Sequence, residues 1–486
     1  MNYRLILRFL AVVVLILSLF MLIPLIVALI YEEYHLLDDF LIPIIIAALT
    51  SLMVLFTVKT DISRMHNRDG FLLVVIVWLV ASLYGSFPFF SSGEIPSFVD
   101  ALFESASGFT TTGSSILADI EGKSRAILFW RSLTHWLGGM GIISLAVAVL
   151  PILGVSGLQL LRAEMPGPDV ERLTPRITRT AVILWVIYIL ITAAETLLLM
   201  LGGMDLFDAL THSFGTLATG GYSTRNASIA AFNSAYIDVV ITIFMLLSGI
   251  NFTLYYQIVN RRFLSVFKNT ELRAYLAIYA IATCVVVFSL QENTYASYGE
   301  SLRYGSFQVA TLMTSTGFAT ANFDAWPSLA KSILLIMLFI GGCVGSTSGG
   351  IKMLHVVALV KQSFNEIKYL IHPRGVFLFK LNGRVVNKSF IYSIISFVFL
   401  YITIVLISTV VVSSSGIDLI SSMSASLACI GNIGPGFGAV GPSQNFGFLP
   451  APIKIWLVII MIVGRLEVYT FIIILTPYYW RSRAGS

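Results

Sequence analysis

Four short turns rich in threonine and glycine recur along the chain, each between a short amphipathic stretch and a long apolar one. The turns occupy residues 110–114, 218–222, 314–318 and 429–433. In three of the four copies an aspartate stands thirteen residues before the turn glycine: Asp100 before Gly113, Asp208 before Gly221, and Asp418 before Gly431. A fourfold repeat with glycine at one fixed place predicts that a single chain builds a ring around an axis.

The composition predicts that this ring lies in a membrane. Hydrophobic residues make up 57% of the chain, charged residues only 11%, and the mean hydropathy is +0.89. A soluble fold could not cover that much apolar surface with polar side chains. The net charge of +5 does not indicate a nucleic-acid partner, because the Lys and Arg residues lie in short loops between apolar runs. We therefore expect an integral protein surrounded by the lipid bilayer.

Ten apolar stretches are long enough to cross a bilayer, which takes about 20 residues. They begin near residues 9, 40, 71, 126, 180, 236, 273, 329, 389 and 453. The two chain ends and the loops at 59–68, 162–179, 261–273 and 361–388 hold 21 of the 30 Lys and Arg residues. The positive-inside rule places these loops and both termini in the cytoplasm, and the four turns near the outer face. A secretory signal is the alternative for the first stretch, but no small-x-small cleavage pattern ends it.

Each repeat also contains a segment that is too short to cross the membrane. The four segments are residues 98–107, 206–215, 301–311 and 417–427. Each is expected to form a re-entrant half-helix, because non-helical backbone such as the following turn survives in lipid only when it is buried in protein or lines a water-filled path. The half-helix C-termini would direct their negative dipole ends toward the membrane centre, which favours a cation there.

The turn glycines predict a selectivity filter. Glycine reaches positive φ without steric cost, and four such strands could replace the hydration shell of a monovalent cation with carbonyl oxygens. The predicted filter residues are Thr111, Thr112, Gly113, Thr219, Gly220, Gly221, Ser315, Thr316, Gly317, Ile430, Gly431 and Asn432. The alternative is that the glycines only permit close helix packing. Asn432 either contributes its side-chain amide to the filter or caps the turn.

A glycine-rich segment interrupts the second long stretch of the third repeat. Residues 341–350 include five glycines and three hydroxyl side chains, and each interior glycine costs a helix about 1 kcal/mol relative to alanine. The helix is predicted to break there and to form a gate beneath the filter, because broken backbone must face protein or water. The predicted gate residues are Gly345, Ser346, Thr347, Ser348, Gly349 and Gly350. The alternative is a kinked helix fitted to a neighbour.

Arg465 lies far from either end of the last apolar stretch. An unpaired arginine in lipid costs at least about 2.5 kcal/mol, so Arg465 either faces the pore or forms a buried ion pair with Glu104 or Glu195. Lys352, next to the broken segment, is expected to extend toward the cytoplasm. No catalytic residue is predicted and the chain is not expected to be an enzyme, since no nucleophile or metal-ligand spacing stands out.

The repeated M1–pore loop–M2 unit resembles the Trk/Ktr/HKT superfamily of potassium transporters. The resemblance rests on four turns that read Thr-Thr-Gly-Ser, Thr-Gly-Gly-Tyr-Ser, Ser-Thr-Gly-Phe and Ile-Gly-Asn, and on two extra N-terminal stretches like those of bacterial Trk pore subunits. It covers essentially the whole chain. It implies an all-α polytopic membrane protein in which two N-terminal transmembrane helices precede four tandem M1–pore loop–M2 repeats in pseudo-fourfold symmetry.

The same resemblance implies a function and partners. The transported ion would be K⁺, and Rb⁺ as well, taken up across the bacterial inner (cytoplasmic) membrane through a gated channel-like pore, with no organic cofactor. The family resemblance further implies a homodimer and a cytoplasmic nucleotide-binding regulatory ring of the TrkA type. No turn reads Thr-Val-Gly-Tyr-Gly, so discrimination among ions is expected to be looser than in a potassium channel.

The chain is divided into five expected units: residues 1–68 for the two N-terminal helices, then 69–170, 171–268, 269–380 and 381–486 for repeats one to four. An ion-coupled potassium symporter, driven by H⁺ or Na⁺, remains an alternative to a channel-like pore. A secondary transporter with inverted repeats would reverse successive loop charges, whereas these repeats run in parallel. A membrane enzyme would need a polar catalytic cluster on one face, and the sequence contains none.

Overall fold

The computed structural model describes residues 2–58, 67–141, 177–382 and 384–481. Most of the loop predicted at 162–179, part of the one at 59–68, and the remainder of the first repeat's second stretch lie outside these ranges. The helices of the first two repeats and the N-terminus are α1 (Tyr3–Ile30), α2 (Leu37–Thr57), α3 (Asn67–Ser91), α4 (Phe98–Phe109), α5 (Arg125–Gly139), α6 (Ile177–Leu201), α7 (Leu206–Leu217), α8 (Ala235–Ser248), α9 (Phe252–Val259) and α10 (Phe263–Phe267).

The third and fourth repeats continue the helical architecture. Their helices are α11 (Thr270–Asn293), α12 (Tyr298–Met313), α13 (Ser328–Met337), α14 (Met353–Ile371), α15 (Lys388–Ser413), α16 (Leu419–Ile430), α17 (Ala451–Arg465), α18 (Tyr469–Leu475) and α19 (Pro477–Trp480). Short 3-10 turns occur at Tyr34–Leu36, Ser228–Phe232, Phe323–Ala325 and Gly438–Val440. A small antiparallel hairpin pairs β1 (Lys380–Leu381) with β2 (Arg384–Val385), Lys380 lying opposite Val385.

Within the described ranges, six helices are long and apolar enough to cross a membrane, namely α1, α2, α3, α6, α11 and α15. Two more crossings are possible if bent pairs count as one span: α8 with α9, bent by 93°, and α17 with α18, bent by 117°. Every one of the ten predicted stretches contains a helix that begins close to its expected start. The all-α polytopic membrane fold is therefore confirmed.

In the part of each repeat's second long stretch that the structure describes, a short helix ends deep in the fold, at Gly139, Ser248, Met337 and Arg465. The sequence predicts such a break only in the third repeat, and the uninterrupted spans expected in the second and fourth repeats are wrong. In the second repeat Asn251 starts a new helix, because its side chain accepts a hydrogen bond from the Thr253 N–H at 2.8 Å. In the fourth repeat Glu467 and Val468 adopt positive φ of 51° and 35°, which a helix cannot continue through.

The four predicted half-helices are present as α4, α7, α12 and α16. Each begins at a residue whose side-chain oxygen accepts a backbone N–H of the first turn: Ser97, Asp205, Ser297 and Asp418. These N-caps satisfy donors that lipid could not. Three of the half-helices have 12 residues, and α12 is one turn longer with 16.

The half-helices are held in a ring by packing that continues from one repeat to the next. Each half-helix packs against the long helix that precedes it, so α3 contacts α4, α6 contacts α7, α11 contacts α12 and α15 contacts α16. The second helix of one repeat also packs on the half-helix of the next, as α5 does on α7, α8 on α12, and α17 on α4. The third and fourth repeats meet instead through α14 and α15. The contact between α17 and α4 joins the last repeat to the first, which closes the ring. Helices α1 and α2 pack on each other beside α3 and α5.

Candidate functional site

The four turns that follow the half-helices share one backbone shape. One residue past each half-helix C-cap, φ is positive although the residue is not glycine: 55° at Thr111, 54° at Thr219, 56° at Ser315 and 51° at Asn432. Two residues later a glycine also has positive φ: 81° at Gly113, 79° at Gly221, 87° at Gly317 and 101° at Gly434. We call these four the ring glycines, and the segments 110–114, 218–222, 314–318 and 431–435 turns one to four.

The predicted role of Gly431 as the fourth ring glycine is wrong. Gly431 is the C-cap of α16 with φ of −78°, equivalent to Thr110, Ala218 and Thr314. The error arises because Asp418 is an N-cap, whereas Asp208 lies inside the first turn of its half-helix. Counted from the N-cap, the ring glycine follows after sixteen residues in each 12-residue half-helix: Ser97 to Gly113, Asp205 to Gly221, and Asp418 to Gly434. Ile430 is thus the last helical residue, and Asn432, Ile433 and Gly434 are the equivalents of Thr111, Thr112 and Gly113.

The turns touch one another around a closed circle. A Cβ added to each ring glycine would meet the carbonyl oxygen of the residue before the next ring glycine: Gly113 meets Gly220 at 2.0 Å, Gly221 meets Thr316 at 2.0 Å, Gly317 meets Ile433 at 2.1 Å, and Gly434 meets Thr112 at 3.0 Å. No side chain fits at the first three positions unless backbone moves. The ring glycines lie in non-helical strands against other turns, so they do not serve helix packing.

Alternate turns of this circle carry a pair of hydrogen-bonded hydroxyl groups. Turn one pairs Thr110 Oγ1 with Thr112 Oγ1 at 2.8 Å, and turn three pairs Thr314 Oγ1 with Thr316 Oγ1 at 2.7 Å. Turns two and four have no hydroxyl at the matching positions. Asn432 Nδ2 donates to Thr112 Oγ1 at 2.9 Å and to the Met461 carbonyl at 3.0 Å. The Asn432 amide therefore connects turn four to turn one.

The glycine-rich segment of the third repeat lies beneath turns three and four. It is non-helical from residue 338 to 352, since α13 ends at Met337 and α14 begins at Met353, so we call it the intramembrane loop. The Gly349 N–H donates to Ser315 Oγ at 2.7 Å, and a Cβ on Gly349 would lie 2.1 Å from the Gly431 carbonyl oxygen. The segment is a loop, as predicted, and the alternative of a kinked helix is wrong.

Backbone hydrogen bonds attach the intramembrane loop to the break in the second repeat. The Cys343 N–H donates to the Gly249 carbonyl at 2.9 Å, and the Phe252 N–H donates to the Gly345 carbonyl at 2.9 Å. A carboxylate adds a third attachment, because Glu271 Oε1 accepts the Val344 N–H at 2.7 Å. The loop thus rests on α8, α9 and α11.

Arg465 lies against the same loop from the opposite side. Its guanidinium donates to the Thr347 carbonyl at 2.8 Å, to the Gly138 carbonyl at 2.5 Å and to the Gly139 carbonyl at 2.9 Å. Glu104, one of the two predicted partners, binds Arg131 instead at 2.6 Å. Arg465 therefore joins the intramembrane loop to the end of α5 through backbone oxygens.

Lys352 does not extend toward the cytoplasm, so that prediction is wrong. It is 9% exposed, and its Nζ donates to the Ser348 carbonyl. The ammonium is turned into the intramembrane loop because that carbonyl is available one turn before α14 begins.

Several residues of this site were missed. Gly434 follows Ile433 in a run that reads Gly-Pro-Gly from residue 434 to 436, and aligning the N-caps instead of the first-turn acids would have found it. Glu271 carries a weaker signal, since it lies in the first turn of an apolar span. The backbone acceptors of Arg465 carry no signal in the sequence.

Four half-helices precede four glycine strands that close a ring within one chain, and a non-helical loop packs against two of the turns. This arrangement defines a pore-loop membrane protein. The chain belongs to the TrkH family of cation transport proteins, whose model matches residues 37–481, and this confirms the resemblance seen in the sequence. It is 39% identical to the Trk system potassium uptake protein TrkH of Escherichia coli K12, over 99% of this chain and 100% of that one. The potassium uptake protein TrkI of Halomonas elongata is 32% identical, over 98% and 97% of the two chains.

A solved relative has the same overall structure. The crystal structure of the potassium transporter TrkH from Vibrio parahaemolyticus superposes with a TM-score of 0.88 at 35% identity, and the match covers 99% of this chain and 100% of that one. The structural match therefore extends over the whole length of that relative.

Proposed function

We propose that this chain takes up K⁺ across the bacterial inner membrane through the centre of the ring of turns. The observation that carries the proposal is the closed circle of contacts from Gly113 through Gly221 and Gly317 to Gly434. Related proteins that match over nearly their whole length are named potassium uptake proteins, which supports K⁺ as the ion. Both termini lie in the cytoplasm, in keeping with the positive-inside distribution of Lys and Arg.

Backbone oxygens of the turns take the place of water around the ion. The proposed filter residues are Thr111, Thr112, Gly113, Thr219, Gly220, Gly221, Ser315, Thr316, Gly317, Asn432, Ile433 and Gly434. A dehydrated monovalent cation is stabilised by rings of such oxygens, and the C-terminal ends of four half-helices add partial negative charge on the same side. The membrane potential then drives K⁺ inward.

The intramembrane loop is the proposed gate, with residues 345–350 closing the path beneath the filter. Arg465 places a positive charge at the same level and limits how long a cation remains there. A homodimer, in which each chain keeps its own pore, would dock on a cytoplasmic nucleotide-binding ring of the TrkA type, which moves the loop. The five units that begin at residues 1, 69, 171, 269 and 381 are the proposed divisions of the chain.

Replacing Gly349 with alanine is expected to raise basal Rb⁺ flux and to weaken regulation from the cytoplasm. The added Cβ would lie 2.1 Å from the Gly431 carbonyl oxygen, so the loop must withdraw from the underside of turn four. Flux into proteoliposomes without the regulatory ring measures the effect. Gly299→Ala is the matched control, because its Cβ would meet nothing closer than Ser297 Oγ at 3.5 Å. If Gly349→Ala folds and transports like the parent, the loop is not the gate.

Uptake of labelled Rb⁺ into proteoliposomes under a set membrane potential tests the proposed function. We expect uptake that follows the potential, that excess K⁺ inhibits, and that needs neither a proton nor a sodium gradient. Uptake only in the presence of one of those gradients would favour the ion-coupled symporter. A folded protein that takes up no Rb⁺ under any of these conditions would contradict potassium transport.

A further inference from the structure

Every half-helix carries a buried polar side chain that binds the strand just beyond the ring glycine. In three repeats this residue stands nine positions before the ring glycine: Glu104, His212 and Gln308. In the fourth repeat Ser424 stands ten positions before Gly434. All four are fully buried, with 0% of each side chain exposed.

The contacts fall at the same place on each strand, two or three residues past the ring glycine. Glu104 accepts from Ser115 Oγ and from the Ile116 N–H, both at 2.9 Å. In the other repeats the partners lie at the same distance: His212 Nε2 with Ser223 Oγ at 2.9 Å, and Ser424 Oγ with the Phe437 N–H at 2.9 Å. The Gln308 amide oxygen accepts the Thr320 N–H at 2.9 Å in the amide orientation that its neighbours favour. In all four repeats, the half-helix is therefore hydrogen-bonded to the strand that follows it.

The first of these contacts continues into the second repeat through Arg131, whose guanidinium is paired with Glu104 within the first repeat. Arg131 Nε donates to Glu104 Oε1 at 2.6 Å, and Arg131 Nη1 donates to the Ser223 carbonyl at 2.9 Å. The guanidinium lies 3.5 Å from the centre of the Tyr222 ring, and the Tyr222 hydroxyl donates to the Glu104 carbonyl at 2.8 Å. Tyr222 and Ser223 directly follow Gly221, and Ser115 lies two residues past Gly113. The network thus joins the outer strands of turns one and two.

We propose that Glu104, Arg131 and Tyr222 are positioning residues for ion selectivity. They act on the ion only through the backbone, because they hold the first two strands at the spacing that the ring of carbonyl oxygens requires. Hydrogen bonds between charged groups are shorter and stronger than neutral ones, so this quarter of the ring is held more firmly than the quarters backed by Gln308 and Ser424. When the spacing relaxes, the oxygens can close around a smaller ion, and discrimination against Na⁺ falls. The inference rests on the proposed potassium transport.

The test compares uptake of Na⁺ and of Rb⁺ in proteoliposomes for the parent and for two variants. Tyr222→Phe removes only the hydroxyl that reaches the Glu104 carbonyl, and keeps the ring beside Arg131. We expect it to retain Rb⁺ uptake and to raise the Na⁺/Rb⁺ uptake ratio by about threefold to tenfold, the factor that the net free energy of one hydrogen bond corresponds to. Glu104→Gln, which leaves Arg131 without its carboxylate, is expected to raise the ratio by about tenfold or more.

Two matched controls separate a local effect from general damage. Tyr84→Phe also removes a largely buried hydroxyl, one that donates to the Pro43 carbonyl at 3.3 Å between α2 and α3. Asp238→Asn breaks another ion pair, the one with Arg303 at 2.7 Å, which joins the second repeat to the third and does not involve the strands. Both controls should keep the parent's Na⁺/Rb⁺ ratio.

Each outcome decides the inference. A folded Tyr222→Phe variant with the parent's ratio overturns it, and so does an equal shift in the two controls. If Glu104→Gln does not fold, Tyr222→Phe decides alone. A parent protein that takes up no Rb⁺ overturns the proposed function, which is a different result from a transporting parent whose variants keep their selectivity.

Discussion

Replacing Arg465 by alanine is expected to increase K⁺ flux by about tenfold or more while the protein stays folded. The guanidinium would no longer repel a cation a few ångströms away, in a region where screening is weak. The same change releases the Thr347 carbonyl, which is one of the attachments of the intramembrane loop. Both effects act in the same direction, since the charge and the loop are each proposed to obstruct the path.

The competing explanation predicts the opposite outcome. If Arg465 were half of a buried ion pair, its loss would strand a carboxylate and destabilise the protein by roughly 3–5 kcal/mol. Rb⁺ flux and thermal stability in detergent, measured on the same preparation, distinguish the two. Arg465→Lys is the matched control. It keeps the positive charge, but its ammonium group lacks the planar arrangement of donors with which the guanidinium binds three carbonyls. An unstable and inactive alanine variant would rule out the pore assignment.

Replacing Gly113 with serine is expected to raise Na⁺ permeation relative to K⁺ by about tenfold. Gly113 has φ of 81°, which costs a residue with a side chain about 1–2 kcal/mol. Its Cβ would also lie 2.0 Å from the Gly220 carbonyl oxygen, so turns one and two must move apart. A wider and less regular ring of oxygens discriminates less between the two ions.

The fourth turn supplies a matched pair of variants for the same flux assay. Gly434→Ala should change the Na⁺/K⁺ ratio, because φ is 101° and the Cβ would lie 3.0 Å from the Thr112 carbonyl oxygen. Gly431→Ala should change it less, because φ is −78° there and alanine already occupies the equivalent position, Ala218, in turn two. Its Cβ would meet the Ile433 side chain and the Leu427 carbonyl oxygen at 2.8 Å, both within its own repeat and not in the neighbouring turn. Unchanged selectivity in Gly113→Ser would remove that glycine from the filter. A larger effect of alanine at Gly431 than at Gly434 would support the sequence prediction that Gly431, and not Gly434, is the equivalent of Gly113.

The parts of the fold that depend on local chemistry could be predicted. An apolar stretch of about 20 residues is long enough to cross a bilayer. For this reason a helix begins close to the start of every predicted span. The glycines at positions 113, 221 and 317 predicted backbone with positive φ, and φ is positive at all three residues. The fourth strand was misplaced by three residues because spacing alone does not distinguish an N-cap such as Asp418 from an acid inside the first turn such as Asp208.

The parts that depend on distant backbone could not be predicted. The bend between α8 and α9 accompanies a hydrogen bond from the Phe252 N–H to the Gly345 carbonyl, a backbone partner more than 90 residues away, although the cap at Asn251 is a local signal for the start of α9. For Arg465 the sequence left open a pore-facing charge or an ion pair with Glu104 or Glu195, since side chains are the only partners that a sequence displays. Its acceptors are main-chain carbonyls of Gly138, Gly139 and Thr347, which every residue type possesses.

Because all four quarters of the ring belong to one chain, each can change independently of the others. In a channel assembled from four identical subunits, one substitution alters every quarter at once. Here the hydroxyl pairs occur in turns one and three only, and Asn432 connects only turn four to turn one. If the ring is the proposed filter, substitutions in a single gene can therefore change its ionic preference one quarter at a time, while the other three quarters keep their structure.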